Sequence, residues 1–309
     1  MTLRVAATAS AIAAAVALGG CGLGAGKGTS DVALTVTRDF GAVPVGSTNE
    51  RQVPGSQTVM RLLERGFHVS TRYGGGFVQS INGLSGTSAR RDWFYYVNGM
   101  EAALGAAGTS VHHGDRVWWD LHDWTATDSI PAVVGSYPEP FQHGLGGRRW
   151  PTTLACATDT NAACTQVADK LKAIGVPAST QALGSSSGTD SIAVVVGTWQ
   201  DIRGQLAATL IEHGPASSGI YARFSPANTG SSLELLDPKG QVVRTLGGSA
   251  GLVAATAQSS AAPTWLITGT DAAGVNAAAA ALTTARLRDH FALAVTGNTD
   301  LTVPLEAGA

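Results

Sequence analysis

With 309 residues, a formal net charge of −2 and only 14% charged side chains, the chain has room for about two domains. It lacks the basic excess that nucleic-acid binders carry, so no nucleic-acid partner is expected. The 39 glycines against 12 prolines point to many turns, joined by flexible rather than stiff connections.

Arg4 precedes an apolar, alanine-rich run from Val5 to Leu18. Residues 1–20 therefore read as a targeting segment, too short for a transmembrane helix. Leu18-Gly19-Gly20-Cys21 resembles a bacterial lipoprotein signal. That resemblance implies cleavage before Cys21 and a lipid on its sulfur, anchoring the chain at the extracytoplasmic face of the cell membrane. The alternative is an ordinary secretory signal with an incidental cysteine. Residues 21–30 then form the lipidated cysteine and a small, polar, flexible tether.

Residues 31–125 are expected to form the first domain. Val32, Leu34 and Val36 alternate as in a strand. Thr58 to Glu64 reads as a short helix with Val59, Leu62 and Leu63 inward and Thr58 as its cap. Phe67 to Tyr73 and Gly76 to Ile81 are strand-like. Residues 91–124 hold four of the seven tryptophans. Trp93 to Val97 is a strand, Asn98-Gly99 a tight turn, and Arg116 to Leu121 a second strand. Alternation puts Trp93, Tyr95 and Val97 on one face and Phe94 and Tyr96 on the other. Val117, Trp119 and Leu121 likewise oppose Trp118 and Asp120. One face is assigned to the core through Trp93 and Trp119. The other needs a cover, which is another domain, a partner or a ligand.

Four motifs fall in order here: Thr58-Val59 with Leu62-Leu63; Gly75 through Val78, Ser80, Ile81 and Gly83; Trp93-x-Tyr95-x-Val97-Asn98-Gly99; and Gly114-Asp115-x-Val117-x-Trp119. Together they resemble the transcobalamin-like C-terminal domain family, found in bacterial surface proteins. The resemblance covers residues 31–125 and implies a β-grasp fold. In transcobalamins the related domain covers one side of a corrinoid, so the resemblance also implies a cobalamin-like ligand.

Residues 126–151 read as a linker, broken by Pro131, Pro138, Pro140 and Pro151, with Tyr137, Phe141 and Trp150 packed on the domains. Residues 152–309 are expected to be an α/β layered domain of unknown type, so that the whole chain is α+β. Its predicted elements are a strand at 152–157, an amphipathic helix at 161–174 stopped by Gly175, and a buried strand at 191–196. A single helix follows over 199–211. Strands at 219–224, 232–236 and 241–246 come next, the last two joined by a turn at Asp237-Pro238-Lys239-Gly240. A strand at 264–268 leads into a helix from Ala272 to about Ala292. Two strand–Gly-Thr–helix units, at Gly197-Thr198 and Gly269-Thr270, echo each other. Asp271 suits a helix cap and would repel an anion there.

Cys156 and Cys164 suit a structural disulfide in an oxidising compartment; a redox or metal pair is the alternative. His112, His113, Asp115, His122 and Asp123 cluster in sequence. Neighbouring residues on a strand face opposite ways, so no metal site is assigned and these read as polar loop and edge positions. No catalytic residue is assigned: Gly-x-Ser-x-Gly is absent, and Gly184 to Gly188 is a flexible serine–glycine loop. The expected binding residues are Tyr73, Phe77, Tyr96, Trp118 and Trp124, aromatic groups with polar tips that suit flat ligands or protein partners. The function expected is non-catalytic capture of a small molecule by a membrane-anchored lipoprotein. The alternative is a protein-interaction or envelope-assembly module that meets an envelope protein such as a transporter through the aromatic sheet face. A secreted hydrolase is the third reading.

Overall fold

The computed structural model describes residues 28–55, 57–86, 90–184, 188–226, 228–258 and 261–306. The targeting segment, Cys21 and most of the tether lie outside the described residues. Among the described residues no helix is long and apolar enough to cross a membrane.

The first half contains β1 (Val32–Arg38), β2 (Val43–Glu50), α1 (Val59–Gly66), β3 (Val69–Arg72), β4 (Phe77–Ile81), β5 (Leu84–Ser85), β6 (Arg91–Val97), β7 (Met100–Glu101) and β8 (Arg116–Asp123). Its main sheet has the order β2-β1-β8-β6-β7. β1 and β8 run parallel at its centre, and antiparallel partners flank them. One helix crosses one face of this sheet, as in a β-grasp roll. The helix forms because Val59, Met60, Leu62 and Leu63 make a single buried stripe. The Thr58 hydroxyl accepts the Arg61 amide at 3.3 Å and caps its start. That stripe meets Val32, Leu34, Val36, Trp93, Tyr95, Trp119 and Leu121 in one core. β3, β4 and β5 form a separate small sheet beside it.

The second half contains β9 (Thr152–Cys156), α2 (Asn161–Ala173), β10 (Ala178–Ala182), β11 (Ile192–Thr198), α3 (Trp199–Ile202), α4 (Leu206–Glu212), α5 (Pro215–Ser218), β12 (Ala222–Ser225), β13 (Ser232–Leu236), β14 (Val242–Gly247), β15 (Ala250–Thr256), β16 (Thr264–Gly269), α6 (Ala272–Ala281), α7 (Thr284–Leu287), β17 (Ala292–Thr296) and β18 (Thr299–Val303). A sheet of order β10-β9-β11-β16-β15-β17-β18 is parallel in its first four strands and antiparallel beyond. One face packs on α2, α6 and the 132–150 segment, where Tyr137, Phe141 and Trp150 are buried. The other packs on α3, α4 and the three-stranded sheet of β12, β13 and β14. The fold is therefore α+β. Cys156 and Cys164 form a disulfide that ties the end of β9 to α2.

Three expectations need correction. The helix expected over 199–211 breaks into α3 and α4, because Gly204 lies mid-run and glycine is costly inside a helix. The alanine-rich helix expected to reach residue 292 ends at Ala281; Thr283 caps the short α7, and residues 292–296 pair as β17. β15, a central strand, was not expected at all. It is rich in glycine and alanine because α6 lies almost on top of it. A Cβ on Gly251 would come within 2.2 Å of the Gly274 carbonyl oxygen.

Candidate functional site

The two halves share a core. The second face of the first sheet carries Phe94, Tyr96, Trp118, Asp120 and His122, in register across β6 and β8. Tyr96 and Trp118 pack in one cluster with Ile130, Tyr221, Phe291 and the α3–α4 side chains of the second half. The turn from β1 to β2 completes it. Asp39, Phe40 and Gly41 all have positive φ, which drives the Phe40 ring into that cluster. Phe40 stacks on His122 at 4.7 Å and meets Tyr221 and Phe291 edge-on at 5.3 and 5.1 Å. Only glycine fits after it, because a Cβ on Gly41 would lie 1.8 Å from the Asp289 carbonyl oxygen.

Asp120 holds this turn in place. Its carboxylate accepts the Phe40 amide at 3.1 Å, the Gly41 amide at 2.9 Å and the Thr37 hydroxyl at 2.5 Å. His122 Nδ1 lies 2.9 Å from the same carboxylate and supplies a fourth donor. The Trp118 indole in turn donates to Thr37 at 2.7 Å. Asp120 is 0% and His122 1% exposed, and the imidazole is sandwiched between Phe40 and Phe94. A buried carboxylate is tolerated because backbone and side-chain donors saturate it. An Asp–His pair sealed between rings is a structural clamp, not a site open to a substrate.

The same sheet face has an open end. Thr35, Ser47, Asn49 and Arg116 from β1, β2 and β8 form a floor, and Ser136, Arg288 and Asp289 from the second half form the opposing wall. The cleft between them is about 440 Å³, and Trp118 also lines it. Burial raises the carboxyl of Asp289 above the usual carboxylate range; the Arg288 charge opposes this, the Asp120 charge adds to it, and the Arg116 charge opposes it.

His290 follows Asp289 and packs its backbone on Gly135. Its Nδ1 is buried without a hydrogen-bond partner. Burial holds this imidazole below its ordinary 6.5, against the Asp289 backbone hydrogen bond and the Asp300 charge. The fold therefore prefers neutral His290. The stability it contributes is present above the unfolded value of about 6.5 and is lost as pH falls toward the folded one. We expect the urea midpoint to fall between about pH 7 and pH 5.5, and the fall to be shallower in His290→Gln. Equal slopes in the two proteins would remove His290 from the account.

The expected binding residues do not converge. Tyr96 and Trp118 are buried between the halves, so the aromatic face meets the second domain and not a flat ligand; only the edge of Trp118 reaches the cleft. Trp124 is half-buried, donates to Asp92 at 3.1 Å and lies under the Arg90 guanidinium. Tyr73 and Phe77 lie outside the cluster shared by the halves, at the tip joining β3 and β4. Their rings meet edge-on, and Tyr73 is 86% exposed. The polar cluster also differs from its expectation as loop and edge positions. Asp115 and His122 are buried; Asp115 accepts the Asn98 side-chain amide and the His112 backbone amide. Among the described residues no group of three metal-ligating side chains comes together. Phe40, Asp120, Arg288 and Asp289 went unnoticed as site residues. Only the Asp39-Phe40-Gly41 turn carried a local signal, a glycine closing a short strand connection.

A family described as a domain of unknown function, DUF4430, matches residues 56–123. The match runs from the start of α1 to the end of β8 and leaves out β1, β2 and the second half. No curated protein matches the chain. Among solved structures, a protein of Ruminococcus gnavus ATCC 29149, provisionally described as metal-binding, is 15% identical; the similarity covers 30% of this chain and 97% of that one, with a TM-score of 0.24. A superposition that loose transfers no site.

Proposed function

We propose that this chain is an extracytoplasmic binding protein that takes a small polar molecule, without converting it, in the cleft between its two halves. The cleft itself carries the reading. Its volume of about 440 Å³ lies within the range of small-molecule sites, and each half contributes one wall. The DUF4430 match is compatible with the transcobalamin-like resemblance of residues 31–125. A corrinoid would need the aromatic sheet face, which here is occupied by Phe291, Tyr221 and Ile130. A ligand smaller than cobalamin suits the space that remains. Attachment through a lipid on Cys21 rests on the Leu18-Gly19-Gly20-Cys21 sequence, and the Cys156–Cys164 disulfide suits the same oxidising compartment.

Ser47 is exposed on the cleft floor, so Ser47→Trp should fill the cleft and leave the fold intact. In a thermal-shift screen of small metabolites, hits on the full chain should disappear in this variant. A ligand that binds both proteins equally would place the site elsewhere. In the same preparations Cys21→Ser should move the protein from the membrane to the soluble fraction; retention of the variant would refute the anchor.

A protein-interaction role has one observation of its own. Tyr73 and Phe77 share an exposed tip with Leu104, which is 65% exposed, and the Gly76 carbonyl lies against Gly105; Arg72 is exposed beside them. A docking role belongs to this tip and not to the sheet face.

A further inference from the structure

Resting on the cleft reading, we infer that the ligand is a small soluble acid whose carboxylate or phosphate is held between Arg116 of the first half and Arg288 of the second.

Arg116 and Arg288 line the same cleft, one from each wall, and the charges of both reach Asp289. Arg65, Arg91, Arg223 and Arg286 are matched with Glu50, Asp39, Glu234 and Asp300, while Arg51, Arg72 and Arg244 have no ion pair among the described residues; what sets Arg116 and Arg288 apart is that they share one cleft. Among the described residues, Arg116 and Arg288 have no ion pair within 4.0 Å. Asp289 is the one carboxylate among the lining residues, and it feels both positive charges without pairing to either. Two cations thus face one anion across a narrow space. The remaining polar lining, Thr35, Ser47, Asn49 and Ser136, is neutral and able to donate and accept hydrogen bonds. A cleft with excess positive charge and low-dielectric walls concentrates anions. Guanidinium presents a planar fork that matches carboxylate and phosphate oxygens in pairs. The position of the two residues adds a mechanical point. Each belongs to a different half of the chain, so an acid held by both joins the two walls of the cleft.

The test uses the full chain in detergent, with inorganic phosphate and sodium citrate as probes and sodium chloride at matched ionic strength as reference. Melting temperature and tryptophan fluorescence are followed together, since Trp118 lines the cleft. We expect a saturable rise with at least one oxyanion and none with chloride. Arg116→Gln and Arg288→Gln should each weaken that response about tenfold or more, the loss expected for a charged hydrogen-bonded contact. Because neither side chain has an ion pair to lose, both variants should melt near the parent temperature without ligand. Equal responses in chloride, or an oxyanion response unchanged in both arginine variants, would overturn the proposal. The two readings fail separately. A neutral ligand blocked by Ser47→Trp but indifferent to Arg116→Gln would keep the cleft and discard the acid. Oxyanion binding that survives Ser47→Trp would discard both.

Discussion

Asp120→Ala should cost about 3–5 kcal/mol, the range found when one partner of a buried charged network is removed. The substitution strips an acceptor from the Phe40 and Gly41 amides, the Thr37 hydroxyl and the His122 imidazole at once. Each buried donor left without a partner costs on the order of 1–3 kcal/mol before relaxation. Asp120→Asn keeps the size and one acceptor oxygen, but turns an amide NH2 toward groups that also donate. It should fall between the wild type and the alanine variant. Urea unfolding followed by far-UV circular dichroism reads both values. A loss below about 1 kcal/mol for Asp120→Ala would mean that the turn is held by the Phe40 ring alone.

The second large effect concerns the tryptophans. Trp93 lies in the core under α1, and Trp118 in the core shared with the second half. The alternation of β6 and β8 suggests that one face is core and the other a contact surface for a ligand. Both faces are packed, so Trp93→Ala and Trp118→Ala should each cost about 3–5 kcal/mol. They should differ in kind. Trp93→Ala loosens the first half internally, whereas Trp118→Ala removes one ring contact from each of Phe291 and Tyr96 and weakens the docking of the halves. Two separated unfolding transitions in Trp118→Ala and a single one in Trp93→Ala would match this. Tyr73→Ala, on an 86% exposed ring, serves as the neutral control. If Trp118→Ala unfolds at the parent urea concentration, its face is not part of the core.

Local chemistry made the first half legible. Alternation located β1, β6 and β8 and placed every side chain on its correct face, and Thr58 marked the start of α1. The second half was legible wherever apolar runs met turn residues, as at β11, β16 and the β13–β14 connection, where Asp237 Oδ1 accepts the Lys239 and Gln241 amides. It was hidden wherever packing selected small residues. β15 has no β-branched alternation to betray it, because α6 presses on Gly251. The cleft could not be read at all. Arg116 and Arg288 stand 172 positions apart in sequence and become neighbours of one space only through docking of the halves. His122 misled for the opposite reason: a polar residue next to an exposed-looking turn was in fact drawn inward by Asp120.

The Asp39-Phe40-Gly41 turn has a consequence for inheritance. A gene fragment ending after β8 would encode a roll whose Phe40, Phe94, Tyr96 and Trp118 stand open to water. Such a patch invites self-association. Shuffling the roll alone into another protein would succeed only if the new neighbour supplied rings in place of Phe291 and Tyr221. The two halves are two architectures but one unit of selection, and changes on either side of the seam should be tolerated only as matched pairs.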